Sequence, residues 1–188
     1  MAWTSRALLL LPAIGLAAPA HADGDDRALS LSFGYATFSE PGKPTNNSQS
    51  TSITPDFGLT PSVMYEHAVS TDLSLRGELG GGFFYGGRSM NPKNTGDVSW
   101  LGIADVGITF RFDVLRYVPY GFGGIGGMVS TGGALDGGAV PVIVVGGGLD
   151  ILQNRARSWG FEARLVGFDS DVTVFTIGLR GTARWGYL

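Results

Sequence analysis

The stretch VSWLGIADVGITFRFD, residues Val98 to Asp113, puts Trp100, Ala104, Val106, Ile108, Phe110 and Phe112 on one parity and Asp105, Gly107, Thr109, Arg111 and Asp113 on the other. Successive side chains of a strand point to opposite faces, so the stretch reads as a β-strand with one apolar and one polar face. It is longer than the roughly 9–11 residues that a tilted strand needs to cross a bilayer.

Working outward, the same period of two recurs at about 28–38, 57–66, 73–85, 118–129, 140–152, 159–168 and from 172 to the end. Leu29, Leu31, Phe33 and Tyr35 oppose Ser30, Ser32, Gly34 and Ala36. Leu73, Leu75, Leu79, Phe83 and Tyr85 oppose Ser74, Arg76, Glu78 and Gly80. Phe161, Ala163 and Leu165 oppose Glu162 and Arg164, and Phe175, Ile177, Leu179 and Trp185 oppose Arg180, Thr182 and Arg184. Helical periodicity of useful length is missing. The connections alternate as well. Residues 39–54, 86–97 and 130–139 are long and polar, whereas 67–72, 114–117 and 153–158 are short. Residues 169–171 depart from this, being short where a long loop is due. Eight strands with long loops on one rim and short turns on the other predict an all-β fold, an eight-stranded antiparallel up-and-down transmembrane β-barrel. Both termini then fall on the periplasmic side.

Composition agrees with this reading. Of 188 residues, 31 are glycine, 15% are charged and none is cysteine. Soluble domains average about 25% charge and about 7% glycine. After the first 22 residues there is also no apolar run of the length a membrane helix requires. A barrel dilutes its apolar residues by alternation, which fits between those two classes. The formal net charge of −3 offers no basic footprint for nucleic acid.

Residues 1–22 read as a cleaved signal peptide. Arg6 gives a positive start, Ala7 to Ala18 is apolar, and Ala20-His21-Ala22 is a small-x-small cleavage site ahead of Asp23-Gly24-Asp25-Asp26. Residues 23–188 then form one outer-membrane β-barrel domain.

Charge placement decides which face points inward. A soluble barrel collects Lys and Glu on its wet exterior. Here the polar faces carry Ser, Thr and Gly, with arginines beside acids. A buried charge is costly unless paired, and the planar fork of Arg matches a carboxylate. Arg76, Glu78, Asp105, Arg111, Asp150, Glu162, Arg164 and Arg180 are therefore expected to form an interior polar network. Glu66, Asp113 and Arg184 lie near predicted strand ends and suit the interior or the rim equally. An eight-stranded barrel has an interior just wide enough to be filled by side chains, so a plugged core without a wide pore is expected. Phe83, Tyr85 and Trp100 would form an outer aromatic girdle, and Tyr65, Tyr117, Trp185 and Tyr187 an inner one. Pro61 stands in mid-strand, lacks an N–H, and predicts a bulge or local irregularity.

Together with the signal peptide, four features resemble the small outer-membrane barrels of the OmpA, OmpX and OmpW type, the outer membrane protein β-barrel domain group. They are Val118-Pro119-Tyr120-Gly121-Phe122-Gly123, Gly147-Gly148-Leu149-Asp150, Phe161-Glu162-Ala163-Arg164 and the aromatic closing strand. The resemblance covers the whole chain after the signal peptide. It implies outer-membrane lipid and the barrel-assembly machinery as partners, and a porin-like monomer of the cell envelope. The group ends in Phe, whereas this chain ends in Leu188.

No catalytic, cofactor or metal site is expected. Gly121, Gly123 and Gly126 match GxGxxG, but no helix-forming sequence follows them. His67 is the one histidine after the signal peptide, in a predicted turn on the periplasmic side, where it could not act as a base in the outer leaflet. Asp169 and Asp171 are too few to hold a divalent ion. The expected function is that of a non-enzymatic integral outer-membrane barrel with a structural or loop-mediated interaction role. The alternatives are a narrow conduit for small apolar molecules and a soluble secreted lipid-binding barrel.

Overall fold

A computed structural model describes residues 26–41, 52–86, 98–112, 116–133, 135, 138–167 and 172–186. The expected signal peptide, most of the long loops 39–54 and 86–97, Asp113, Asp169, Asp171 and Tyr187 lie outside the described residues.

The strands are β1 (Arg27–Pro41), β2 (Ser52–Ile53), β3 (Phe57–Ala68), β4 (Leu73–Tyr85), β5 (Val98–Arg111), β6 (Tyr117–Thr131), β7 (Gly138–Asn154), β8 (Arg157–Gly167) and β9 (Thr173–Trp185). Apart from β2, each pairs antiparallel with the next, and β9 pairs with β1 from Arg27↔Trp185 to Ser39↔Thr173. That last ladder closes the sheet, so eight long strands form the expected all-β up-and-down barrel. The additional β2 pairs Ile53 with Glu40 and Ser52 with Pro41, extending β1 at the long-loop end. Two residues carry no readable period, so alternation could not reveal it. His67 lies within β3 and not in the turn expected for it, because the ladder Arg27↔His67 and His67↔Leu75 continues past the alternating segment.

The apolar faces point outward. Leu31, Leu79, Val106 and Ile125 are each more than 60% exposed. Aromatic rings gather near both ends of this outward belt. Phe83 and Trp100 meet edge to face at 5.1 Å toward the long-loop end, and Tyr65 lies 6.5 Å from Trp185 at the other.

Pro61 produces an irregularity without a bulge. Phe57–Leu59 pair with Phe83–Tyr85, and Ser62–Ala68 pair with Ser74–Gly80, in one unshifted register. Between them, Thr60 and Pro61 make no ladder pair with Gly81 and Gly82. The ladder to β1 continues through Phe33↔Pro61. No residue is inserted; the wall is simply unzipped on one side of the proline, which has no N–H to donate.

The interior has two halves. The short-turn half is polar, as expected. The long-loop half is apolar, which departs from the expectation of a core filled by salt bridges. Ala36, Phe38, Phe84, Leu101, Val142 and Val174 pack there, with the Phe38 and Phe84 rings 5.1 Å apart. Leu135, from the β6–β7 connection, is buried against them. Phe84, between Phe83 and Tyr85, and Val142, between Pro141 and Ile143, are flanked by apolar outward residues, so both faces are apolar there and the period disappears.

Candidate functional site

The polar half of the interior is the densest grouping of chemically active side chains among the described residues. Its members share the inward parity of their strands. Glu66 comes from β3, Arg76 and Glu78 from β4, and Asp105 and Arg111 from β5. Asp150 comes from β7, Glu162 and Arg164 from β8, and Arg180 and Arg184 from β9. Nearly all are buried; Arg111 and Arg184 are partly so. Five arginines thus face five carboxylates, and the described interior carries no net formal charge.

Eight of these ten residues form one chain of alternating sign. Arg111 pairs with Glu66, and Glu66 Oε2 accepts from Arg180 Nη2 at 2.9 Å. Arg180 Nη1 reaches Glu162 Oε2 at 3.4 Å, and Arg164 Nη2 reaches Glu162 Oε1 at 3.4 Å. Arg164 pairs onward with Glu78, Glu78 with Arg76, and Arg76 Nε lies 3.8 Å from Asp105 Oδ1. Every charge between the two ends has a partner of opposite sign on each side. The remaining two residues pair with each other: Arg184 Nη2 donates to Asp150 Oδ2 at 2.8 Å, and the Ser158 hydroxyl also donates to that oxygen at 3.4 Å.

Small hydroxyls and aromatic rings complete the packing. Arg111 Nη1 donates to Ser74 Oγ at 2.7 Å, and Arg180 Nη2 donates to Ser30 Oγ at 3.0 Å. Tyr120 donates its Oη–H to Glu162 Oε2 at 3.0 Å. The Arg76 guanidinium sits 3.9 Å above the centre of the Phe122 ring, and that of Arg180 lies 4.7 Å from the Tyr120 ring. Such stacking offsets part of the lost hydration of a cation. The rings fit because glycines on β7 face them: a Cβ at Gly148 would lie 2.5 Å from Tyr120 Oη.

All eight residues expected in the network therefore lie inside. Seven are on the alternating chain, and Asp150 pairs with Arg184. Glu66, whose placement the sequence left open, is the link that joins Arg111 to Arg180. Tyr120 and Phe122 were missed. Their signal lies in the register, since Arg111↔Tyr120 and Thr109↔Phe122 are cross-strand pairs and therefore share a face.

Chemically, the arrangement holds charges still. Each carboxylate has an arginine within ion-pair distance, and no histidine lies among them. Among the described residues, no group of three or more His, Cys, Asp or Glu is placed to hold a metal ion. Gly121, Gly123 and Gly126 lie in mid-strand in β6, where no helix follows to cradle a phosphate.

The architecture has clear counterparts among solved structures. Neisserial surface protein A superposes with a TM-score of 0.62 at 13% identity, over 84% of this chain and 96% of that one. The fold is that of the small eight-stranded outer-membrane β-barrels. Ail, the attachment invasion locus protein of Yersinia pestis, matches this barrel with a TM-score of 0.57 at 14% identity, over 86% of this chain and 99% of that one. The N-terminal β-barrel domain of Pseudomonas aeruginosa OprF matches it with a TM-score of 0.53 at 12% identity, over 86% of this chain and 99% of that one. No protein-family model and no curated protein matches the chain.

Proposed function

We propose that this chain is a non-enzymatic integral protein of a bacterial outer membrane, serving a structural role or making contacts through its long loops. The observation that carries this is the inside-out distribution of side chains. Leucine, valine, isoleucine and aromatic rings cover the outside, while a neutral chain of paired charges obstructs the short-turn half of the interior. A soluble lipid-binding barrel has the opposite distribution. That each described interior carboxylate has an arginine within ion-pair distance supports the non-enzymatic reading. In this reading the long loops face outward from the cell and both termini face the periplasm. The name of one structural neighbour, an attachment invasion locus protein, is in keeping with a role in contact.

Tagging tests both the location and the orientation. The untouched protein should resist alkaline carbonate extraction and run faster on gels when unboiled. A short epitope inserted in 86–97 should be reached by antibody on intact cells. The same epitope between Arg155 and Ala156 should be reached only after the outer membrane is opened. Carbonate release, or labelling with the two sites reversed, overturns the reading.

A conduit for small apolar molecules is the second reading. The apolar lining of the long-loop half of the interior favours it. Conductance in planar bilayers tests it, and a silent barrel leaves the first reading standing.

A further inference from the structure

The unzipped wall at Pro61 has a space on each side of it. Inside, a cavity of about 20 Å³ is bounded by Thr60, Ser62 and Arg164 on its polar side and by Leu101, Val166 and Val174 on its apolar side. Outside, a groove runs along Leu31, Val63 and Leu79. Pro61, Ser62, Gly80 and Gly81 line both spaces. The wall between them is therefore one residue thick, and at Thr60–Pro61 against Gly81–Gly82 no ladder pair holds it shut.

The inner space contains unmet hydrogen-bonding capacity. Thr60 is 7% exposed and Arg164 is 5% exposed. Thr60 Oγ1 and Arg164 Nε are both buried without a hydrogen-bond partner. A buried polar group left in this way costs about 1–3 kcal/mol, and both residues line this cavity, which marks it as a place suited to a ligand oxygen. Two donors call for an acceptor with two lone pairs, such as a hydroxyl or carbonyl oxygen. The charge of Arg164 is already met by Glu78 and Glu162, and a further anion would unbalance a neutral interior. The ligand head is therefore uncharged. A space of this volume admits a water-sized group and no ring. Anything larger attached to it must leave through the gap at Pro61, into an outward groove that is apolar.

We infer that the β3–β4 wall at Pro61 binds an uncharged single-chain amphiphile drawn from the surrounding lipid. Its head oxygen accepts from Thr60 Oγ1 and Arg164 Nε inside the barrel, and its chain passes between Pro61 and Gly81 to lie along Leu31, Val63 and Leu79. The site does not depend on the loop-mediated role, because it lies in the wall and uses no loop residue.

Photolabelling of the refolded full chain in lipid vesicles tests this, with hexadecanol bearing a diazirine part-way along its chain, in the stretch that lies in the outward groove, as the probe. Labels should concentrate on Leu31, Val63 and Leu79, beside the gap. Thr60→Val should reduce them about fivefold, the effect of one lost hydrogen bond, whereas Thr60→Ser should retain them. Palmitate carrying the same diazirine should label this site less than the alcohol does. Heat-modifiable migration verifies that each variant is a closed barrel. Labels spread evenly around the outward belt, an undiminished signal in Thr60→Val, or a preference for palmitate would each overturn the proposal. So would an absence of label at the gap, which would mean that the cavity holds water alone.

Discussion

Glu66 Oε2 lies 2.9 Å from Arg180 Nη2 and also accepts from Arg111, so a single carboxylate oxygen ties β9 and β5 to β3. Its other oxygen, Oε1, is buried without a hydrogen-bond partner. Removing one member of a buried ion pair is strongly destabilising because the charge left behind has neither partner nor water. Glu66→Gln takes the carboxylate from Arg111 and leaves Arg180 with Glu162 alone. It should lower the stability of the refolded barrel by about 3–5 kcal/mol, read as a lower urea midpoint for loss of the fast-migrating gel form.

Asp105 stands at the far end of the same chain and provides the contrast. Its nearest arginine nitrogen is 3.8 Å away, and neither carboxylate oxygen makes a hydrogen bond. Asp105→Asn should therefore cost less than Glu66→Gln, by at least about 1.5 kcal/mol. Equal losses in the same titration would show that the chain is not organised as described.

Glu66 and Glu162 both pair with Arg180, whereas Asp150 pairs with Arg184. Independent sites add within about 0.5 kcal/mol, whereas members of one network do not. Asp150→Asn combined with Glu66→Gln should therefore be the nearer to additive. Glu162→Gln combined with Glu66→Gln should depart further from additivity, because both acids bind Arg180. Four urea titrations per cycle decide the matter.

Leu79 points outward and is 68% exposed. On a soluble protein, Leu79→Arg would be nearly neutral. In a bilayer, an arginine at mid-wall costs about 2–4 kcal/mol. Refolding the variant in lipid vesicles should show that loss, and a neutral result would count against membrane residence.

The glycines should divide by what faces them. At Gly148 a Cβ would meet both Tyr120 and the Phe161 carbonyl oxygen, whereas at Gly181 nothing lies within 4 Å. Gly148→Ala should cost about 1–3 kcal/mol. Gly181→Ala should be neutral or stabilising by up to about 1 kcal/mol. Thermal loss of the fast-migrating form distinguishes them.

Legibility in the sequence followed the contrast between the two faces. In 73–80, apolar and polar residues alternate sharply, and β4 opens on those residues. The network residues stood out for the same reason, being charges set between outward hydrophobes. Where both faces are apolar, as around Phe84 and Val142, the period vanishes, and the apolar half of the interior could not be read. Glu66 was ambiguous because a strand end does not reveal whether the wall extends past it. The wall does, by the Arg27↔His67 and Ala68↔Ser74 pairs. The break at Pro61 was readable as chemistry, a missing donor, but not as geometry. An unzipped pair and a bulge look alike until the register is known.

The alternating chain also bears on how the barrel closes. Among its inward-facing charges, β1 to β5 contribute Glu66, Glu78 and Asp105 against Arg76 and Arg111, an excess of one negative. The strands β6 to β9 contribute Arg164, Arg180 and Arg184 against Asp150 and Glu162, an excess of one positive. Neither half is neutral by itself, and the Glu66–Arg180 and Glu78–Arg164 contacts that join them bridge strands far apart in the chain. A partly assembled sheet would leave those groups stranded, while the arrival of β8 and β9 neutralises them together. Closure is thus favoured as a single event, and an open intermediate has an electrostatic reason to be short-lived.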